Sequence, residues 1–242
     1  MRVVLIGRGR LATSLLAALQ QAGHEVVSIN SRTLEGLPME ADVFVVSVKD
    51  SALKDVISLA TKGREQQLFV HTAGSMPMSL FDGYTSRCGV FYPMQTFSKN
   101  RPVDFKQIPC FIEASDHQAL ETIQVLATSV SDCVMHVGSE KRKKLHLAAV
   151  LCCNLANHCY RLAEQVLEEE GIDFSLFVPL IEETAQKVKS MSPRQAQTGP
   201  MVRYDVNIMQ MQQRMLTNER TREIYRLMAE SIHEDAVGQN TN

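Results

Sequence analysis

The stretch that decides the fold is Arg2-Val3-Val4-Leu5-Ile6-Gly7-Arg8-Gly9-Arg10-Leu11-Ala12. Val3 to Ile6 is a short apolar run rich in β-branched residues. Gly7 follows at once, and Ala12 lies inside a helical pattern through Leu15, Leu16 and Leu19 that Gly23 ends. The stretch therefore reads strand, glycine turn, helix. In the spacing Gly7-x-Gly9-x-x-Ala12, Gly7 permits the tight turn and Gly9 lets backbone approach a pyrophosphate. Ala12 is small enough for the helix to pack closely on the strand. A diphosphate would rest on the unpaired N–H groups at the helix N-terminus, where the macrodipole favours an anion. Gly7, Arg8, Gly9, Arg10 and Leu11 are the candidate nucleotide contacts. Arg8 and Arg10 either add charge near the phosphates or are solvated loop arginines.

A second strand, Glu25 to Ile29, ends in Asn30-Ser31-Arg32. This position chooses the nucleotide. NAD sites place an acid about 20 residues beyond the glycines for the ribose 2′-hydroxyl, whereas NADP sites offer hydroxyl and guanidinium donors to a 2′-phosphate. No acid occurs here before Glu35, so Asn30, Ser31 and Arg32 favour NADP.

Outward from this unit, Asp42 to Val48 is a buried strand, a helix runs through Leu53, Val56, Ile57 and Ala60 to Gly63, and Gln67 to Thr72 is another strand. Strands alternating with short helices imply a doubly wound, mostly parallel α/β sheet whose ligand lies off the carboxyl ends of the strands. Those ends supply Val48, Thr72, Ala73 and Gly74 as further cofactor contacts. Val90 to Tyr92 and Cys110 to Glu113 are strands, separated by a long loop to Pro109. Asp116 caps a helix running to about Val130, and Cys133 to Val137 closes the α/β part.

From Ser139 the β signals vanish, which divides the chain into a Rossmann-like domain over 1–138 and an all-helical domain over 139–242. The first helix, about Glu140 to Glu170, is capped by Ser139 and ended by Gly171. At 100° per residue Leu145, Ala148, Ala149, Cys152, Leu155, Ala156, Cys159 and Ala163 share an apolar side. Lys143, His146, Asn154, Asn157, His158 and Arg161 form a polar stripe opposite. The stripe mixes His, Asn and Lys instead of the Glu and Lys pairs of a solvated face, so a site-facing role stands beside the solvated one. Lys141-Arg142-Lys143-Lys144 reads as a solvated first turn and not as a nucleic-acid patch. Further helices are expected over 175–189, 193–197, 206–216 and 219–234, with a loose tail after Asp235. Asp205 reads as an N-cap, and Arg203 either pairs with it or reaches an anionic substrate. The apolar stretch Met209, Met211, Met215, Ile224, Leu227 and Met228 predicts a homodimer through the helical domain, unless these residues form the monomer's own core.

With 242 residues, 45% hydrophobic, the chain is long enough for two modest domains. A formal net charge of −2 gives no global attraction to nucleic acid or to a membrane surface, so the expected partner is a small molecule. No leader precedes the first strand and no apolar run reaches membrane-spanning length, from which a soluble cytoplasmic protein is expected. Cys88, Cys110, Cys133, Cys152, Cys153 and Cys159 contain no Cys-x-x-Cys pair and read as buried thiols in a reducing compartment. No metal site is expected.

Taken together, the glycine turn, Asn30-Ser31-Arg32, His71-Thr72-Ala73-Gly74, Pro93-Met94-Gln95-Thr96-Phe97, His146-Leu147-Ala148-Ala149 with Asn154, and Thr198-Gly199-Pro200 with Arg203 and Asp205 resemble one bacterial family. That family pairs a Rossmann-like domain with a C-terminal helical domain of unknown function. More distantly, the plan is similar to pyrroline-5-carboxylate reductases, deazaflavin-dependent NADP reductases and β-hydroxyacid dehydrogenases. The resemblance implies an NADP-linked oxidoreductase and supplies no substrate. This chain departs from it at Tyr92, where His is usual, and at Tyr204, where Gly is usual. The expected reaction is hydride transfer between NADP(H) and a small carbonyl, imine or alcohol in the cleft between the domains. Histidine titrates near neutral pH, which makes His146 the candidate proton carrier, with Asn154 orienting the reacting atom and Lys143 as a second donor. Tyr92, Gln95, Thr96 and Arg203 are candidate substrate contacts. The rival readings are a non-catalytic NADP-binding protein with a partner-binding helical domain and a structural protein with an empty nucleotide fold.

Overall fold

The computed structural model describes residues 1–99 and 101–238. The chain divides into two compact units, Met1–Leu155 and Ala156–Asn242. The first holds a seven-stranded sheet in the order β2-β1-β3-β4-β5-β6-β7. Its strands are β1 (Arg2–Ile6), β2 (Glu25–Ile29), β3 (Val43–Val46), β4 (Phe69–His71), β5 (Cys88–Pro93), β6 (Cys110–Ala114) and β7 (Val134–His136). β1 to β5 are parallel, β6 turns antiparallel to β5, and β7 runs parallel to β6.

Side-chain alternation along the strands builds two apolar layers. Val3, Leu5, Val43 and Val45 face one way, against Ala12, Leu15 and Leu19 of α1 (Arg10–Gln21) and Ile123 and Leu126 of α3 (His117–Val130). Val4, Ile6, Phe44 and Val46 face the other, against Leu53, Ile57 and Ala60 of α2 (Asp50–Ala60). Burying a leucine such as Leu15 contributes roughly 1.5 to 3 kcal/mol, so helices on both faces are what allow these central strands to be apolar throughout. Asp116 caps α3 as expected, accepting from the Ala119 N–H at 2.8 Å. The long loop before β6 is not a bare excursion, because Phe105 and Ile108 are buried in the α1–α3 layer.

The long helix after β7 differs from its expected form in several ways. It is α4 (Ser139–Ala149), then a π-helical segment (Val150–Leu155), then α5 (Ala156–Glu168). The i→i+5 bonding of the π segment widens the turn, so the 100° step does not carry His146's facing through to Asn154. Gly138, not Ser139, is the N-cap residue. The Ser139 hydroxyl is engaged instead by Glu113, to which it donates, and by the Met78 N–H, from which it accepts. The expected apolar side, Leu145 to Ala163, contains no buried residue in the single chain. Arg142, read as solvated, is wholly buried because three polar groups meet its guanidinium. Of the cysteines Cys88 and Cys110 are buried, Cys159 is half-buried, and Cys133, Cys152 and Cys153 are exposed, so the buried-thiol reading holds for the strand positions alone.

The second unit continues through α6 (Val178–Ser190), α7 (Pro193–Ala196), α8 (Val206–Met215) and α9 (Glu219–Val237). Asp205 caps α8, accepting from the Ile208 N–H at 3.4 Å. The loose tail expected after Asp235 does not start there, because α9 continues to Val237; the rest of that expectation falls on residues 239–242, which lie outside the described residues. No described helix is long and apolar enough to cross a membrane.

Candidate active site

Strand order reverses between β1 and β3, and in a sheet of this kind the crevice off their carboxyl ends is where ligands bind. Gly7 stands there with φ +131°, and a Cβ on it would collide with the Ser47 carbonyl. Glycine is therefore required by the backbone just beyond β3 as well as by the turn. Gly9 is the N-cap of α1, and a Cβ there would meet nothing within 4 Å. The chain itself places no demand on that residue, which leaves room for a bound group. The first turn of α1 carries no acid. Arg8, Arg10 and Arg32 are exposed and enter none of the ion pairs of the described residues. Beyond β2, Asn30 Oδ1 accepts from the Arg32 N–H at 3.1 Å, which fixes the turn carrying Ser31 and Arg32. Open backbone, a helix N-terminus and basic side chains at the reversal fit a dinucleotide bearing an extra phosphate.

Next to the crevice, the buried Thr72 hydroxyl donates to Ser47 Oγ at 3.1 Å and Val48 is half-buried. His71 is wholly buried. Burial, helped by the charge of Arg142, pushes its imidazole down to about 4. The ring is thus neutral, accepting from the Ala73 N–H at 3.2 Å on Nδ1 and donating from Nε2 to the Pro77 carbonyl at 3.3 Å. Ser75 donates to the Asp50 carboxylate at the start of α2. The segment from Ala73 to Pro77 is held at several points.

Above this segment Gly74, Tyr92 and His146 converge. The Tyr92 hydroxyl lies 3.0 Å from His146 Nδ1, and the two rings meet edge to face at 5.8 Å. A Cβ on Gly74 would lie 2.6 Å from Tyr92 Cζ and 2.7 Å from His146 Nδ1, so only glycine lets the backbone pass beneath both rings. Burial pushes the Tyr92 phenol up to about 12. It stays protonated and so can donate to Nδ1, an arrangement that puts the proton of a neutral imidazole on Nε2.

Other expected site residues are placed differently. Lys143 is half-exposed and paired with Glu140 at 2.7 Å. Asn154 is exposed in the π-helical segment. Gln95 and Thr96 are exposed after β5, where the Gln95 side chain accepts from the Thr96 N–H at 2.8 Å. Arg203 is exposed in the second unit and has no ion pair with Asp205 among the described residues. Beside it Tyr204 takes φ +53°, the conformation the resembled glycine would favour, and stacks on His233 at 4.1 Å. Glu113 was not singled out from sequence, and Ser47 and His71 stood there only within strand-end stretches, with no role of their own. A lone acid ending the apolar strand Cys110-Phe111-Ile112 is the signal that points to Glu113.

Fold and site define a two-unit protein with a Rossmann-like sheet followed by helices. Residues 108–232 match the family described as a domain of unknown function, DUF2520. A protein of Bacteroides fragilis, provisionally described as an NADP oxidoreductase, is 42% identical over 96% of this chain and 98% of its own, with a TM-score of 0.90. The chain belongs to this DUF2520 family. A Thermotoga maritima protein shares the fold at 21% identity and TM-score 0.72, over 98% of this chain and 99% of that one. An imine reductase of Myxococcus stipitatus solved with NADP+ does so at 17% and 0.61, over 100% and 95%. No curated protein matches the chain.

Proposed function

We propose that this protein is an NADP(H)-linked oxidoreductase acting on a small carbonyl, imine or alcohol, with His146 as the proton carrier. The observation that carries the reading is the Tyr92–His146 pair seated on Gly74, beside the carboxyl ends of β4 and β5. The description of the Bacteroides fragilis relative supports the same nucleotide and reaction class. The nucleotide supplies or accepts the hydride. A proton must move as well, and in reduction the imidazolium form of His146 gives it from Nε2, the nitrogen that Tyr92 does not face, and is left as a neutral imidazole with Nδ1–H directed at the Tyr92 oxygen. Tyr92 is then a positioning residue whose hydroxyl, donor or acceptor by rotation, holds Nδ1 and leaves Nε2 to the substrate. Gly7, Gly9 and the N-terminus of α1 hold the diphosphate, and Ser31 and Arg32 take the 2′-phosphate.

NADPH oxidation across a panel of carbonyls and imines, and NADP+ reduction across alcohols, tests the proposal. His146→Gln should cut turnover by roughly 10²-fold while leaving NADPH affinity nearly unchanged. Binding of NADPH without turnover of any panel member would favour the non-catalytic alternative.

We also infer a homodimer formed through the helices. Ala229 is the one buried hydrophobic residue of 156–242 among the described residues, while Leu176, Leu180, Met211, Met215, Leu227 and Met228 are exposed. A helical unit of this size needs a core, and a second copy presenting the same apolar faces supplies it.

A further inference from the structure

Arg142 has no part in the chemistry just described, yet its side chain is 0% exposed in the middle of the run Lys141-Arg142-Lys143-Lys144. A guanidinium leaves water only where its arms are paired. Nη1 meets the Glu113 carboxylate, and Nη2 donates to the Met76 carbonyl at 2.6 Å and to Ser139 Oγ at 3.2 Å. Ser139 closes the cluster by donating to Glu113 at 2.8 Å and accepting from the Met78 N–H at 3.0 Å.

The pose of the guanidinium is informative. Nε has no partner, although a stabilising ion pair is strongest when two N–H groups of the fork share one carboxylate. Here one arm is spent on Glu113 and the other is turned to a backbone carbonyl, at the expense of Nε. The carbonyl so gripped belongs to Met76, two residues beyond Gly74. The gripping residue stands four before His146, on the same face of α4. Arg142 therefore joins the two parts whose separation matters: the segment that passes under the rings and the helix that carries the imidazole.

We propose that Arg142 is a positioning residue for the Tyr92–His146 pair, holding Met76 and Glu113 so that Gly74 sits under both rings and His146 keeps its Nδ1 on the Tyr92 hydroxyl. This rests on the reading of His146 as proton carrier. His71 and Asp50 hold the same segment from the sheet side and from α2. Arg142 ties it to α4.

The test uses the full-length protein in three forms besides the unmutated one: Arg142→Lys, the double variant Arg142→Met with Glu113→Leu, and His146→Gln. The double variant removes both charges together, so it leaves no buried ion unpaired. Nitrogen-15 spectra of the imidazoles, with His146 assigned by the signals lost in His146→Gln, report its tautomer. Calorimetry gives NADPH affinity, and steady-state rates on a substrate found in the panel give kcat and KM.

In the unmutated protein His146 should show a single Nε2–H tautomer. The double variant should show mixed tautomers and a kcat lower by about 10²-fold, with KM and NADPH affinity within about threefold. Arg142→Lys keeps the charge but has one short head for two partners. It should fall between, with a loss of roughly tenfold. An unchanged tautomer and kcat in both Arg142 variants would overturn the proposal. If the double variant does not fold, the lysine variant decides by the same two readouts. Intact turnover in His146→Gln would instead overturn the reading of the proton carrier, and the tautomer spectra would still decide whether Arg142 positions the ring.

Discussion

Adding one methyl group at Gly74 is the sharpest perturbation the site offers. The Cβ of Gly74→Ala would fall 2.6 Å from Tyr92 Cζ, 2.7 Å from His146 Nδ1 and 2.9 Å from Tyr92 Cε1. None of these atoms ends a flexible chain. Tyr92 lies on β5 with its ring against Phe111 at 6.2 Å, and His146 is carried by α4, which Arg142 and Ser139 fasten to β6 and to the segment after β4. Ordinary contact begins at 3.4 Å, so the gap from 2.6 Å to be opened is 0.8 Å. Spreading the rings by that amount takes the 3.0 Å hydroxyl–imidazole contact beyond hydrogen-bond range. Losing one hydrogen bond and overpacking the site together cost roughly 1.5 to 4.5 kcal/mol. At roughly 2 to 4 °C per kcal/mol, the melting temperature should fall by about 3 to 18 °C. Turnover should fall by about 10²-fold, because a shift of this size misplaces the proton carrier. Calorimetric melts and NADPH oxidation at a temperature where both proteins are folded measure the two effects separately. An alanine variant melting within about 1 °C of the unmutated protein, at full rate, would show that Gly74 does not confine the rings.

Three further outcomes are expected. NADPH should bind more tightly than NADH, and Arg32→Ala should remove most of the difference, about 1.5 to 3 kcal/mol by calorimetry; equal affinities in the unmutated protein would sink the 2′-phosphate assignment. Native His71 stays neutral down to about pH 4 while the unfolded imidazole takes a proton near 6.5, so the unfolded chain binds more protons in between. That stability, up to about 3 kcal/mol, is complete above pH 6.5 and lost as pH falls toward 4; melts of His71→Gln should lack this acid-side decline, and identical pH profiles would refute it. Light scattering should give twice the 27.1 kDa chain mass, with a melting temperature that rises with concentration, whereas a monomer mass would refute the dimer.

The sheet was legible because its signals are local. Alternating apolar runs, glycines and an Asp cap mark β1, α1, β2 and α3 to within about a residue, and tertiary contacts reinforce them. The site was legible in part. His146 stood out by residue type, and Tyr92 as a departure from the resembled pattern and a candidate substrate contact. Their meeting is a contact across 54 residues that no local spacing reveals. Arg142 was misread for a physical reason: in a run of four basic residues on a helix, periodicity says only that one of them points inward. Which one depends on Glu113 and the Met76 carbonyl, from strands and loops far along the chain. Asn154 was misplaced by a π turn that sequence periodicity does not announce.

The apolar side of the long helix was read correctly as apolar and then left uncovered by its own chain, and the same holds for the helices that follow. From Leu147 to Val237 nineteen large hydrophobic residues are exposed, against four in the stretch before them, among the described residues. A sequence that covers its apolar groups efficiently around the sheet has no physical reason to leave them in water along the helices. Fully burying even five such side chains is worth roughly 8 to 15 kcal/mol, comparable with the whole stability of a domain. The periodicity that makes one side of the helix apolar is therefore information about a contact, but not about which copy of the chain supplies it. The proposed self-association would meet both requirements at once. A second copy would present matching apolar faces, and a net charge of −2 would put little repulsion between the two.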